Sequence, residues 1–268
     1  MVSKVFIITG ASKGIGAAIA KYLLQQSHNV VITARSREPL EALKTSHPGQ
    51  VQYIAGDMVE PEMPTKLTNL AVSSFGKVDG IVINHGVLAP KRFADCTIEE
   101  WKQLYDVNVF SGIAMAKAGL DELRKSKGCI VWVSSGAATK AYAAWGSYGS
   151  GKAVYNSVSS HIAVEEPDII SVAIAPGRVD TEMQGVLRSE GKDTMDKSQY
   201  DTFTEAFEKG ALLKPEQPGH VMAKFVANPL RELTGKAFSV CSESTDASDP
   251  GMIQDRNTRP SVSSASSR

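Results

Sequence analysis

Strand-length apolar runs alternate with helix-patterned stretches along almost the whole chain, and this alternation constrains the fold more than any other feature. The runs at 4–9, 29–34, 51–55, 80–83, 129–133, 169–174 and 237–240 read as seven strands. Between the first two, Ile15, Ile19, Leu23 and Leu24 mark the buried face of a helix over 14–26. Residues 38–46, 61–74 and 147–165 read as further helices. Thr97-Ile98-Glu99-Glu100 has capping-box spacing, which predicts a long helix from there to about 124. Strands alternating with helices imply a parallel sheet covered on both faces, with right-handed crossovers. A chain of 268 residues accommodates one such domain.

Two stretches break the rhythm. Residues 181–213 are polar and helical in tendency, with no strand, and an insertion of this kind can form a lid over a site. From 242 onward the chain is rich in Ser, Asp, Thr and Pro, so 242–268 is expected to be a mostly disordered tail on a domain of residues 1–241.

Several function classes fall away on composition. Lys+Arg and Asp+Glu both number 29, leaving no basic excess for nucleic acid or an anionic membrane surface. The apolar runs are too short for a membrane-spanning helix, and the first ten residues lack a signal peptide's layout. Cys96, Cys129 and Cys241 form no CxxC pair, which fits a reducing cytoplasmic setting and argues against a disulfide framework or a metal site.

TGASKGIG, residues 9–16, joins the first strand to the first helix. Glycines at 10, 14 and 16 let the backbone turn tightly and approach a ligand closely, and the helix N-terminus offers N–H groups to a pyrophosphate. Gly10, Ser12, Lys13, Gly14, Ile15 and Gly16 are therefore candidate dinucleotide contacts in a Rossmann-type, doubly wound seven-stranded sheet. The spacing is G-x3-G-x-G and not the commoner G-x-G-x-x-G. At the end of the second strand, where an acidic residue would bind a ribose 2′-OH, stand Arg35 and Ser36. With Lys13, these residues suit a 2′-phosphate and so predict NADP(H); the alternative is that the two cations are solvated surface. Asp57 follows the third strand, and Asn84, His85 and Gly86 follow the fourth, where adenosine would rest. Asp57 could equally cap the next helix. His85 is expected to have no catalytic part.

Tyr148 and Lys152 lie one helical turn apart, and Ser135 ends the strand-like run CIVWVSS. A neighbouring cation is expected to lower the phenol's pKa from about 10 and fit it for acid–base work. A lone Tyr-xxx-Lys pair is also common by chance.

Together these pieces resemble the short-chain dehydrogenase/reductase family over roughly residues 2–240. The match includes TGASKGIG, Asp57, NHG at 84–86, Asn108 in YDVN, Ser135, YGSGK at 148–152 and PGRVDT at 176–181. The resemblance implies a catalytic tetrad. Asn108 would hold a water-linked proton relay and a helix kink, and Ser135 would hydrogen-bond a substrate carbonyl. Tyr148 would be the acid/base, and Lys152 would lower its pKa and bind the nicotinamide ribose. Pro176 and Gly177 would line the cofactor, and Val179 and Thr181 would hold its carboxamide. His85 departs from the family's more usual alanine, with little expected effect. The family also implies a homodimer or homotetramer through helices 99–124 and 147–165.

VDTEMQ, WGSYGSGKA and NHGVLAP further resemble the fungal benzil reductase and sepiapterin reductase branch, which reduces α-dicarbonyl or pterin ketones. Trp145 and Met183 are then candidate substrate contacts, although Trp145 could simply pack on the helix start. A 3-oxoacyl or polyol reductase is the alternative enzyme, and a non-catalytic NADP(H)-sensing protein the alternative of another class. The intact Tyr148 and Lys152 disfavour the latter.

Overall fold

The computed structural model describes residues 2–240 and the strand 253–255. Seven strands are parallel: β1 Val5–Thr9, β2 Asn29–Ala34, β3 Val51–Ala55, β4 Gly80–Ile83, β5 Cys129–Val133, β6 Ile170–Ala175 and β7 Ala237–Val240. They lie in the order β3-β2-β1-β4-β5-β6-β7, so the chain reverses its direction of travel between β1 and β4. Ligands of open α/β sheets bind outside the strand ends at such a switch point. Ile7 sits there between Val31 of β2 and Ile81 of β4.

Every residue of β1 is buried, as a strand covered on both faces requires. Alternate side chains serve alternate layers. Phe6 and Ile8 pack with Ile19 and Leu23 of α1 (Gly14–Gln25) and Met222 of α9 (Glu216–Ala227). Val5 and Ile7 face the other way, towards Leu67 of α3 (Met63–Phe75), Met115 of α5 (Ser111–Ser126) and Tyr155 of α6 (Gly146–Glu165). Helix α2 (Arg37–Ser46) buries only Leu40.

Three features differ from the sequence expectation. The single helix expected from 97 to about 124 is α4 (Ile98–Tyr105) and α5, joined by a π-helical turn at Asp106–Phe110. The capping box does start it: Thr97 Oγ1 accepts from the Glu100 N–H at 3.2 Å, and the Glu100 carboxylate accepts from the Thr97 N–H at 2.8 Å. A capping box fixes where a helix starts and carries no information about a wider turn further along. Next, the sheet has an eighth strand, β8 (Ile253–Asp255), antiparallel to β7. It lies within the stretch expected to be a disordered tail, because β7 presents an edge whose backbone groups can pair with a passing segment. The rest of that tail, with Cys241, lies outside the described residues. Finally, Asp57 does not cap the next helix, whose N-cap is Glu62. It closes its own turn, accepting from the Val59 N–H at 3.2 Å.

The 181–213 segment is helical, as its composition suggests. It contains α7 (Glu182–Glu190) and α8 (Lys197–Glu208), and its ends are tied by a parallel bridge between Val179 and Leu213. Leu187, Met195 and Phe203 of this flap are buried against Leu88, Ala137, Trp145 and Tyr148. The insertion therefore covers the carboxyl ends of β4 and β5.

Candidate active site

The glycine loop holds its shape through contacts that exclude side chains. At Gly16 a Cβ would collide with the Gly10 carbonyl and the Asn84 amide, and at Gly10 (φ +66°) it would meet the His85 backbone at 2.9 Å. Asn84, expected to touch adenosine, ties down this loop: its Nδ2 donates to Thr9 O and Gly10 O, both at 3.0 Å. The N-terminus of α1 carries no side-chain cap and no acidic residue in its first turn. Uncapped N–H groups beside a cradle that a Cβ would fill suit a pyrophosphate.

Arg35 and Ser36 are exposed at the end of β2, followed by a further exposed cation, Arg37, the first residue of α2. Lys13 is paired with Glu182 of α7, a partner 169 residues away that no local pattern announces. Thr181 is the N-cap of α7, and its methyl group lies against Gly14. Val179 is buried, Pro176 half-buried, and Gly177 adopts φ +85° in the turn after β6.

Helix α6 delivers Tyr148 and Lys152 to one face, as the i, i+4 spacing requires. Both are buried, at 7% and 3% exposure. Helix α6 can approach so closely because Ser147, Gly149 and Gly151 are small; a Cβ at Gly149 would come within 2.9 Å of Ala137 O. Lys152 Nζ donates to Val133 O at 2.7 Å.

The electrostatics differ from the expected cation-lowered phenol. Burial pushes the Tyr148 phenol above its ordinary pKa, and a hydrogen bond with Ser135 opposes that rise. Burial also lowers Lys152 from 10.5 to about 7. Loss of water is the largest effect on each of the two groups. In this state Ser135 is the group that favours the Tyr148 phenolate.

Asn108 lies in the π turn, fully buried, with both ends of its amide on one residue. Oδ1 accepts from the Val87 N–H and Nδ2 donates to Val87 O, each at 2.8 Å. The turn brings Asn108 to Gly86, where a Cβ would lie 3.0 Å from Asn108 Oδ1 and 3.6 Å from Lys152 Nζ. Asn108, Ser135, Tyr148 and Lys152 are thus gathered from three segments, the π turn, the end of β5 and α6, into one region beside the switch point.

Trp145 is the N-cap residue of α6 and lies under the flap. Its indole stacks on Phe203 with centroids 5.3 Å apart and meets the Tyr148 ring edge-on at 5.8 Å. At 7% exposure it packs the helix start against the flap while its ring stays in contact with Tyr148. Met183 is half-buried at the margin of the same cluster. Among the described residues no group of His, Cys, Asp or Glu is arranged to hold a metal ion, and no helix is long and apolar enough to cross a membrane.

A 3-2-1-4-5-6 sheet, a glycine cradle at its switch point and a Ser–Tyr–Lys constellation with its Tyr and Lys buried define a nicotinamide-dependent oxidoreductase. Residues 4–192 match the family described as short chain dehydrogenase. The chain is 39% identical over 236 residues to an uncharacterized oxidoreductase of Schizosaccharomyces pombe, spanning 87% of this chain and 94% of that one. It is 35% identical over 236 residues to a benzil reductase ((S)-benzoin forming) of Saccharomyces cerevisiae, spanning 83% and 90%. The crystal structure of a short chain dehydrogenase/reductase from S. cerevisiae superposes with a TM-score of 0.87 at 35% identity, over 93% of this chain and 98% of that one. The protein belongs to the short chain dehydrogenase family.

Proposed function

We propose that this oxidoreductase is an NADPH-dependent carbonyl reductase acting on apolar α-dicarbonyl compounds such as benzil. The observation that carries this reading is the hydrogen-bonded Ser135–Tyr148 pair, with half-buried Ser135 beside a Tyr148 buried under a flap whose inner face is aromatic and aliphatic. Ser135 and Tyr148 can donate to a carbonyl oxygen as negative charge develops on it, in a setting from which water is excluded. Tyr148 then gives its proton to that oxygen. The family resemblance assigns Lys152 and Asn108 the task of restoring that proton, and the approach of both to Gly86 supports it. The glycine loop, Asp57 and the 176–181 turn would hold the cofactor, which supplies the hydride when bound. Arg35 and Ser36, with no acid at the end of β2, support NADPH over NADH. The benzil reductase relative supports the diketone class. Cys96 and Cys129, both free thiols, accord with a cytoplasmic setting.

The test is NADPH oxidation with benzil, run in parallel with NADH. Wild type should prefer NADPH, and Tyr148→Phe should lose about 10²–10⁴-fold in kcat while still binding NADPH. Near-wild-type turnover in that variant, or a preference for NADH, would sink the reading.

A further inference from the structure

His85 is more than a loop residue. Its ring bridges the end of β1 to the first residue of α5: Nδ1 lies 2.7 Å from Thr9 Oγ1, and Nε2 lies 2.7 Å from Ser111 Oγ. The partners fix the tautomer. Ser111 Oγ already donates to Val107 O at 2.7 Å, so it can only accept from the ring, and Nε2 carries the proton. Nδ1 is then bare and accepts from the Thr9 hydroxyl, whose other acceptor, Val82 O, is farther away at 3.3 Å.

The Ser111–Val107 bond has a structural cause. In an α-helix the Ser111 N–H would bond Val107 O, four residues back. In the π turn it bonds Asp106 O, five residues back, leaving Val107 O without its usual partner. The Ser111 hydroxyl fills that gap, and His85 in turn orients the hydroxyl. Two struts therefore cross between the 84–87 loop and the π turn. One runs from Asn108 to the Val87 backbone, the other from His85 through Ser111 to Val107.

We propose that His85 is a positioning residue: as a neutral Nε2–H imidazole it braces the π turn through Ser111 and thereby sets Asn108 beside Gly86 and Lys152. Its surroundings keep the ring neutral: burial, and then the Lys152 ammonium, push its pKa from 6.5 down to about 3, against an opposing pull from the Val107 backbone carbonyl that the ring also approaches. The proposal rests on the carbonyl-reductase reading for its kinetic consequence but not for its geometry.

The experiment compares His85→Ala, His85→Gln, His85→Asn, Ser111→Ala and the double variant His85→Ala/Ser111→Ala. A Gln side chain can place a donor near the Nε2 position, whereas Asn reaches only towards Nδ1. His85→Ala and Ser111→Ala should each lower kcat by roughly 10- to 100-fold with little change in KM or NADPH affinity. The double variant should be no worse than either single one, and Gln, but not Asn, should restore most of the rate. Equal rates for Gln and Asn would overturn the brace, as would multiplying single losses; if the alanine variants do not fold, the Gln/Asn pair decides. Side-chain ¹⁵N NMR of the wild type gives a readout independent of catalysis. It should show a neutral, Nε2-protonated ring at pH 6, and a charged or Nδ1-protonated ring would overturn the proposal. If wild type reduces no diketone, the proposed function fails by itself, and the NMR result still decides on His85.

Discussion

Lys152 illustrates a residue whose service to the site costs the fold stability. Its ammonium is nearly fully buried, with Val133 O as its hydrogen-bond acceptor. Lowering its pKa from 10.5 to about 7 corresponds to on the order of 5 kcal/mol. The folded pKa lies below the unfolded one, so between pH 7 and 10.5 the unfolded chain holds a proton that the folded chain does not. Stability from this group therefore rises with pH through that window, and the penalty is complete below pH 7. Lys152→Met should raise the Tm of the cofactor-free protein by several degrees at pH 6, even after leaving Val133 O unpaired at a cost of about 1–3 kcal/mol. The gain should shrink as pH approaches 10.5. Thermal melts across that range check this; a variant less stable than wild type at pH 6 would contradict the assignment.

Among the elements, the flap α7–α8 is the one whose packing bears most directly on substrate. Phe203 is its anchor, stacked on Trp145, 5.5 Å from the Tyr142 ring centroid and covered by the Arg178 guanidinium at 4.9 Å. The flap's own cluster is small and separate from the two layers beside the sheet. Loosening it should leave global folding largely intact. Phe203→Ala should raise the KM for benzil roughly tenfold with a smaller change in kcat, and should speed proteolytic cutting within α7–α8. Unchanged KM together with unchanged proteolysis would mean that the flap does not shape the pocket. The π turn is the second informative element, because it widens the helix between α4 and α5 at Asn108, which reaches Val87 and Gly86 from there.

At the scale of the whole molecule, apolar side chains remain on the helices that the family resemblance assigns to a subunit interface. Phe110 is 57% exposed at the end of the π turn and Val164 is 82% exposed on α6. Tyr105 contacts the Phe110 ring and hydrogen-bonds Ser150 of α6, so α4, the π turn and α6 adjoin. We expect a homo-oligomer through this region. Light scattering should give a multiple of the 28.7 kDa subunit mass, and Phe110→Asp should return it to one subunit. A monomeric wild type would refute the expectation.

The sequence by itself determined the layered fold, the seven parallel strands, the glycine loop and the Tyr148–Lys152 pair. Each depends on spacing between near neighbours: strand-length apolar runs, a helical repeat, one turn of separation. What only the tertiary structure decided involves partners distant in the chain or an altered helical register. The Lys13–Glu182 pair spans 169 residues, the strand 253–255 joins an edge that its composition does not announce, and the kink that the resemblance implies at Asn108 takes the form of a π turn after an ordinary capping box. The burial that raises the Tyr148 phenol also depends on packing from several segments at once. His85 combines these reasons. Within NHG it looks like a substitution of little effect. Folding places its two nitrogens on Thr9 and Ser111, 76 and 26 residues away, and so gives the ring a defined tautomer and a structural task.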